Sequence, residues 1–304
     1  MIDYDPKAWL RIVVTLRGAV AGRLLGRVSV AIVLGVLAWW MHDTASFAIP
    51  PVAHTLIGAA LGLLLVFRTN ASYGRYVEAR ELLGRIVNAS RDLARQVVTY
   101  VADHPECAAL REDVLRWLGA FYRLLVQSVR DERDLDALGE RLHASERAQL
   151  EPLKHRPAVV ATWISARLHA AHRAGHLELE ALRAMDANLT AMVAALGGCE
   201  RIRRTPVPFA YAQHIKLFMV LFCYTVPFAI VDALGAYTAV ASAALSFALF
   251  GIDEIGVEIE DPFGTDPNDL PMERIGDTIE ASTREIFEAG DQRVTVRSVY
   301  SVPA

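Results

Sequence analysis

The side chains able to do chemistry in this 304-residue chain fall into two groups. His169, His172 and His176 recur at i, i+3 and i+7, with Glu178 and Glu180 close behind, types and spacing that could offer metal ligands on one helix face. The same pattern describes the solvated side of an amphipathic helix, which is the expectation here, and no metal site is assigned. The second group is acidic: Asp253, Glu254, Glu258, Glu260 and Asp261 run into the stretch DPFGTDPNDLP. Oxygen-rich loops of this kind hold calcium, and Gly264 could supply a sharp turn. The spacing does not follow an EF-hand, and Pro267 interrupts the ligand series, so a solvated turn capping the next helix is the simpler reading. Cys107, Cys199 and Cys223 lie far apart without CxxC spacing and are expected to be buried free thiols. Neither a Gly-rich phosphate loop nor a GxSxG elbow occurs, so catalysis is not expected.

These groups must be positioned by elements, and the strongest element signal is hydropathy. Apolar residues make up 53% of the chain and the mean hydropathy is +0.27, high for a soluble domain. Yet 31 Lys+Arg and 35 Asp+Glu are present, and they are segregated from the apolar runs. The chain is read as part membrane and part solvated body. A net charge of −4 with no basic, aromatic-interleaved cluster sets nucleic-acid binding aside.

Charge-free runs cover residues 28–42, 44–67, 217–231 and 233–252, of 15, 24, 15 and 20 residues. Roughly 20 apolar residues span the hydrocarbon, so the second and fourth qualify on length. The first and third rely on their flanks, where Arg23, Arg27 and Lys216 can snorkel and Trp39 with Trp40 can sit at an interface. Membrane segments are placed at about 24–42, 50–67, 216–232 and 233–252. Lys and Arg crowd the outer flanks of each pair, whereas the connecting loops near 43–51 and 232 have none. Both hairpins are therefore expected to enter from the cytoplasm, with both termini inside a cell inner membrane. A cleaved leader is the alternative for the first run, disfavoured by its double Trp and the span that follows at once.

Between the hairpins the pattern is helical. Val77, Leu82, Leu83, Ile86, Val87, Leu93, Val97 and Val101 recur at three- and four-residue intervals, so the second span is predicted to continue as a cytosolic helix until His104 and Pro105 stop it. Further helices are predicted at about 108–129, 157–176 and 177–196, the last ending at Gly197 and Gly198, with a short one near 271–288 and a β-prone tail over 293–302. The fold class is an all-α integral membrane protein, four membrane helices in two hairpins with interleaved cytosolic helices (68–205 and 253–304), read as a single domain over 1–304. Within the second span, Gly58 and Gly62 form a GxxxG pair that suits close helix packing inside one protomer. Alternatively this helix lines a symmetric pore, with Ala59, Leu63 and Phe67 stacked at i, i+4 and i+8.

The stretches FRTNASYGRYVEAR (67–80), GCERIRRTPVPFAY (198–211) and EDPFGTDPNDLP (260–271) resemble the signature segments of bacterial bestrophin homologues, over a range reaching to about Glu288. The resemblance implies a homopentamer with one central pore, lined in the membrane by the second span and ending in a cytosolic constriction. It implies a hydrophobic neck at Ala59, Leu63 and Phe67, with Ala59 smaller than the bulky residue common there, and a cytosolic aperture near Arg183. Animal members bind calcium through consecutive acids after a Pro-Phe-Gly turn. Here that run is reduced to Asp266, Asn268 and Asp269 with Thr265 and Pro267, so no cofactor and no calcium dependence are expected. The implied function is passive conduction of small monovalent ions, chloride or other anions by family and sodium or potassium as in bacterial members. Its partners are other copies of the chain, the lipid bilayer and the permeant ions. A non-conducting membrane scaffold with a partner-binding helical body is the alternative.

Overall fold

The computed structural model describes residues 5, 7–15 and 20–291. The β-prone tail expected over 293–302 lies outside the described residues. Ten α-helices, all of the regular structure apart from short 3-10 turns, occupy the described residues: α1 (Trp9–Val14), α2 (Ala21–Ala45), α3 (Pro51–Tyr100), α4 (Pro105–Arg130), α5 (Ala144–Leu150), α6 (Arg156–Arg173), α7 (Leu179–Arg204), α8 (Phe209–Leu234), α9 (Thr238–Glu258) and α10 (Met272–Asp291). The chain divides into two compact units, one built from Met1–Glu78 and Thr205–Leu270, the other from Ala79–Arg204 and Pro271–Ala304.

Three helical stretches among the described residues are long and apolar enough to cross a membrane: Ala21–Ala45, Pro51–Tyr100, whose first part lies in the first unit, and Phe209–Glu258. At about 1.5 Å per residue the 25 residues of α2 reach some 37 Å, so the first span is longer than its charge-free run suggested. The third stretch is interrupted at Gly235, whose φ of +50° leaves the helical region and suits a residue without Cβ. A 3-10 turn, Gly235–Tyr237, then feeds α9. The chain folds back there: Tyr224 lies tilted against Phe250 with ring centroids 6.2 Å apart, and Lys216 reaches Asp253 at 3.1 Å.

Small residues set the lateral order. Ala31, Gly35 and Ala38 are the buried positions in the middle of α2, and a Cβ placed on Gly35 would lie 2.6 Å from the Cα of Ala239 on α9. Backbones this close gain dispersion contact in lipid, where no hydrophobic force draws helices together. The start of α3 packs on α8 instead: Leu61 and Leu65 join Ile215, Met219, Phe222, Cys223 and Val226 in one buried cluster. The segment between α2 and α3 is fastened to α8 by the Ile49 N–H donating to the Phe228 carbonyl at 2.9 Å.

In the second unit, the amphipathic stripes read from the sequence form the core. Leu83, Ile86, Leu93 and Val97 of α3 are buried, as are Val114, Leu118, Phe121 and Leu125 of α4. Against α4 lies α10, with Arg123 donating to Glu273 at 2.8 Å, Asp277 at 2.5 Å and Glu280 at 3.0 Å. Burial works to raise the Glu280 carboxyl, but its hydrogen bonds from Arg141 and Arg123 prevail and hold it below the ordinary glutamate range. Two boundaries differ from expectation. The helix expected to stop at Gly197 and Gly198 runs on as α7 to Arg204, because Gly198 is where Leu82 seats against the backbone: a Cβ there would fall 2.7 Å from a Leu82 methyl. The helix expected to carry all three histidines ends at Arg173, where Gly175 (φ +80°) turns the chain before His176.

Gly35→Ala should lower stability in detergent by about 1–3 kcal/mol through overpacking, since its neighbour is backbone that cannot rotate away. Gly26→Ala on the same helix meets nothing within 4 Å and should be neutral or slightly stabilising. Paired thermal-unfolding curves decide it: equal behaviour of the two variants would exclude the close α2–α9 approach.

Candidate functional site

Two faces of α3 differ sharply. Leu61, Leu65, Arg68 and Ser72, at successive one-turn steps, are buried. Around the helix, Val52, Leu56, Leu63, Val66 and Phe67 stay exposed, Leu63 at 56% and Phe67 at 55%, and Ala59 is exposed with them. Ala59, Leu63 and Phe67 thus share an apolar stripe left exposed among the described residues. Of the GxxxG pair, Gly58 accepts the Phe222 ring, where a Cβ would meet it at 3.0 Å, while Gly62 has nothing within 4 Å. Half of the motif serves packing inside the protomer and half faces outward.

The buried face ends in an ion-pair cluster that holds α3 in register. Arg68 is 2% exposed and hydrogen-bonds Asp253 of α9, itself 1% exposed, while Glu260 stands 3.9 Å from the same guanidinium. Lys216 of α8 takes the second oxygen of Asp253 at 3.1 Å. On the α2 side Arg27 pairs with Glu254 at 2.9 Å, and Arg23 lies between Glu254, Glu258 and Asp266 at 3.5 to 3.8 Å. Arg75, one α3 helical stretch on, donates to the carbonyls of Glu260, at 3.1 Å, and Thr205. The basic residues expected to snorkel are therefore partnered by the acidic run that begins in the last turns of α9.

That run then folds as a closed turn. Asp269 accepts the Asp266 N–H at 2.7 Å, the Leu270 N–H donates to the Pro262 carbonyl at 3.0 Å, and Asn268 donates to Glu258 at 2.9 Å. Gly264 admits the Asp269 carboxylate, which would stand 2.6 Å from any Cβ there. Burial is the chief cause that pushes the Asp269 carboxyl up to about 6, aided by Asp266, Asp261 and Glu258 against the Asp266 N–H bond. Asp266 is exposed, Asn268 half-buried and Asp269 buried, so the three positions of the reduced acidic run lie in different environments.

In the second unit Arg183 is exposed on α7 and lines a shallow groove with Ser165, His169 and Asp186. His169 and His172 lie on α6 with ring centroids 6.3 Å apart, but His176 leaves their row and meets His104 and Glu106 instead. Glu178 and Glu180 do not join a ligand cluster among the described residues.

The apolar stripe of α3 thus ends at a buried Arg-Asp anchor with a Pro-Phe-Gly turn behind it. The model of a family described as bacterial and fungal bestrophin proteins matches residues 1–285. The chain belongs to this bestrophin family. Among curated bestrophin relatives, one from Nostoc named a voltage-dependent anion channel-forming protein is 36% identical over 92% of this chain and 92% of its own. One of the same description from Escherichia coli K12 is 32% identical over 92% of both chains. A crystal structure of a bacterial bestrophin homolog from Klebsiella pneumoniae aligns with a TM-score of 0.81 at 29% identity, covering 87% of this chain and 98% of that one. The chain is accordingly an all-α, multi-pass membrane protein with the bestrophin fold.

The anchor was missed in sequence, although a signal existed. Arg27, Arg68, Lys216 and Asp253 each border a charge-free run, and hairpin geometry brings those four borders to one level.

Asp253→Ala should cost about 3–5 kcal/mol by leaving Arg68 buried without its main partner, whereas Arg68→Met with Asp253→Leu should recover most of that loss. A double-mutant cycle on thermal unfolding with an additive outcome would rule out the coupling. For Asp269 the folded pKa lies above the unfolded one, so the folded state binds the extra proton between about pH 4 and pH 6 and loses up to about 3 kcal/mol as pH rises through that window. Asp269→Asn should flatten that part of the stability profile; an unchanged slope would assign it to other groups.

Proposed function

We propose that this bestrophin homologue assembles as a homopentamer around a single pore and conducts small monovalent ions passively across the cell inner membrane. The carrying observation is the exposed apolar stripe of α3 opposite a face fixed by Leu61, Leu65 and Arg68. Five copies of Ala59, Leu63 and Phe67 form a hydrophobic neck in this reading, one that can gate by dewetting. Four crossings in two hairpins are supported by the α8–α9 fold-back at Gly235 and by α2 and α3 running in opposite senses. The crowding of Arg and Lys on one side supports cytosolic termini. Both compact units are built from discontinuous segments with α3 shared between them, which supports one functional domain over 1–304.

Relatives named as anion channels support an anion preference, and five copies of exposed Arg183 at a cytosolic aperture would favour anions over cations. Calcium is not required in this reading, since Arg23 already sits between Glu254, Glu258 and Asp266 and supplies the positive charge a bound cation would bring.

Reconstitution in a planar bilayer under a salt gradient tests the reading: a reversal potential near that of chloride is expected, unaltered by calcium chelation. A potential near that of the cation overturns the anion preference, and a silent bilayer favours the scaffold alternative. Leu63→Ala or Phe67→Ala should raise conductance or open probability, and unchanged single-channel currents in both would remove the neck assignment. Arg183→Glu should shift the reversal potential towards the cation.

A further inference from the structure

The α3–α4 and α6–α7 turns of the helical body bring together ligand types that conduction does not use. His104 caps α4 in an extended conformation, with its Nδ1 accepting the Glu106 N–H at 3.4 Å. His176 follows the Gly175 turn, and its ring stacks on that of His104 at 4.5 Å and 21°. Its Nε2 lies 3.3 Å from Glu106 Oε2. One donor atom from each of the three residues falls within 4.8 Å of the other two.

One main-chain bond joins the two turns independently of these side chains, and one other shapes each turn. The Ala102 N–H donates to the His176 carbonyl at 2.9 Å, the His104 N–H to the Ala102 carbonyl at 2.9 Å, and the His176 N–H to the Ala171 carbonyl at 2.9 Å. His172 Nδ1 meets the Leu177 carbonyl at 2.8 Å and fixes the far side of the turn. The ligand-bearing positions are thus set by backbone, while His104 and Glu106, both exposed, can rotate. Arg111, the nearby cation, is engaged by the Val101 carbonyl at 3.3 Å and by Asp103 at 3.9 Å.

We propose that His104, Glu106 and His176 bind one divalent transition-metal ion of the zinc class, with water in the fourth position, clamping the α3–α4 turn to the α6–α7 turn. Two imidazoles and a carboxylate suit zinc, nickel or copper and disfavour calcium or magnesium, which take all-oxygen sets. Tetrahedral bonds of ~2.0–2.1 Å separate ligand atoms by about 3.3 Å, the spacing His176 and Glu106 already have. His104 must close by at most about 1.5 Å, a side-chain rotation. Binding through either nitrogen of His104 gives up its long cap bond, and the positive end of α4 opposes the ion, which the Glu106 carboxylate offsets. A three-ligand, solvent-facing site of this kind is labile and suits reversible occupation.

Full-length, tag-free protein in detergent titrated with zinc chloride by calorimetry, and with cobalt by visible absorption, tests the site. One ion per chain, tetrahedral cobalt bands and a raised unfolding temperature are expected. His176→Ala and Glu106→Gln should each weaken binding more than about tenfold, while His169→Ala leaves it unchanged. His104→Asn keeps a capping acceptor, so the fold survives, and should weaken binding equally. Zinc uptake that persists undiminished in these variants marks an adventitious ion only and overturns the proposal, as does wild-type protein that takes up no zinc and shows no cobalt bands.

Discussion

Arg68 and Asp253 carry opposite charges where almost no water reaches, 2% and 1% exposed, and much of the first unit follows from keeping them together. Neither can stand alone there, because an unpaired buried charge costs far more than the helix contacts around it supply. Their pairing fixes the axial position of α3 against α9, and Lys216 on the second oxygen of Asp253 brings α8 to the same level. Once three helices are registered at this depth, the small-residue contact of Gly35 with Ala239 and the Phe222 contact with Gly58 fall into place. The pair does not need to add net stability over an apolar substitute to do this. Its contribution is specificity, since a slip of one helical turn along α3 would strand both charges.

The same constraint explains why acidic residues follow the apolar stretch of α9 at once. Asp253 and Glu254 are the first residues past that stretch, and they meet Arg27 and Lys216, which lie near the N-terminal ends of α2 and α8. Charges at a membrane edge are ordinarily read as solvated or snorkelling, which holds for an isolated helix. In a bundle whose hairpins end at one level, opposite charges at those ends find each other.

What could be read from the sequence was what depends on neighbours along the chain. The stripes of α3 and α4, the stop at His104 and Pro105, and the segments matched to the bestrophin family all rest on local spacing. What failed depends on residues distant in sequence. Gly197 and Gly198 look like a helix end, yet Leu82 makes a helical glycine useful there. His176 looks like the third histidine of a row, yet Gly175 turns it towards His104 and towards Glu106, 70 residues upstream. Arg68 reads as one basic residue among several until Asp253, 185 residues later, is seen beside it.

In the proposed pentamer the open stripe of α3 has a further property. Side-chain size rises along it from Ala59 through Leu63 to Phe67, so a ring of five narrows towards the cytosolic end of the membrane. The narrowest ring then lies next to Arg68, whose charge is already neutralised by Asp253 and turned to the buried face. In that arrangement an ion passing the Phe67 ring would have to shed water against hydrocarbon. That cost is greatest for small, tightly hydrated ions and least for large, weakly hydrated ones. A neck of this composition consequently discriminates by hydration more than by sign, and sign selection falls to charged groups elsewhere along the path, of which Arg183 is the candidate.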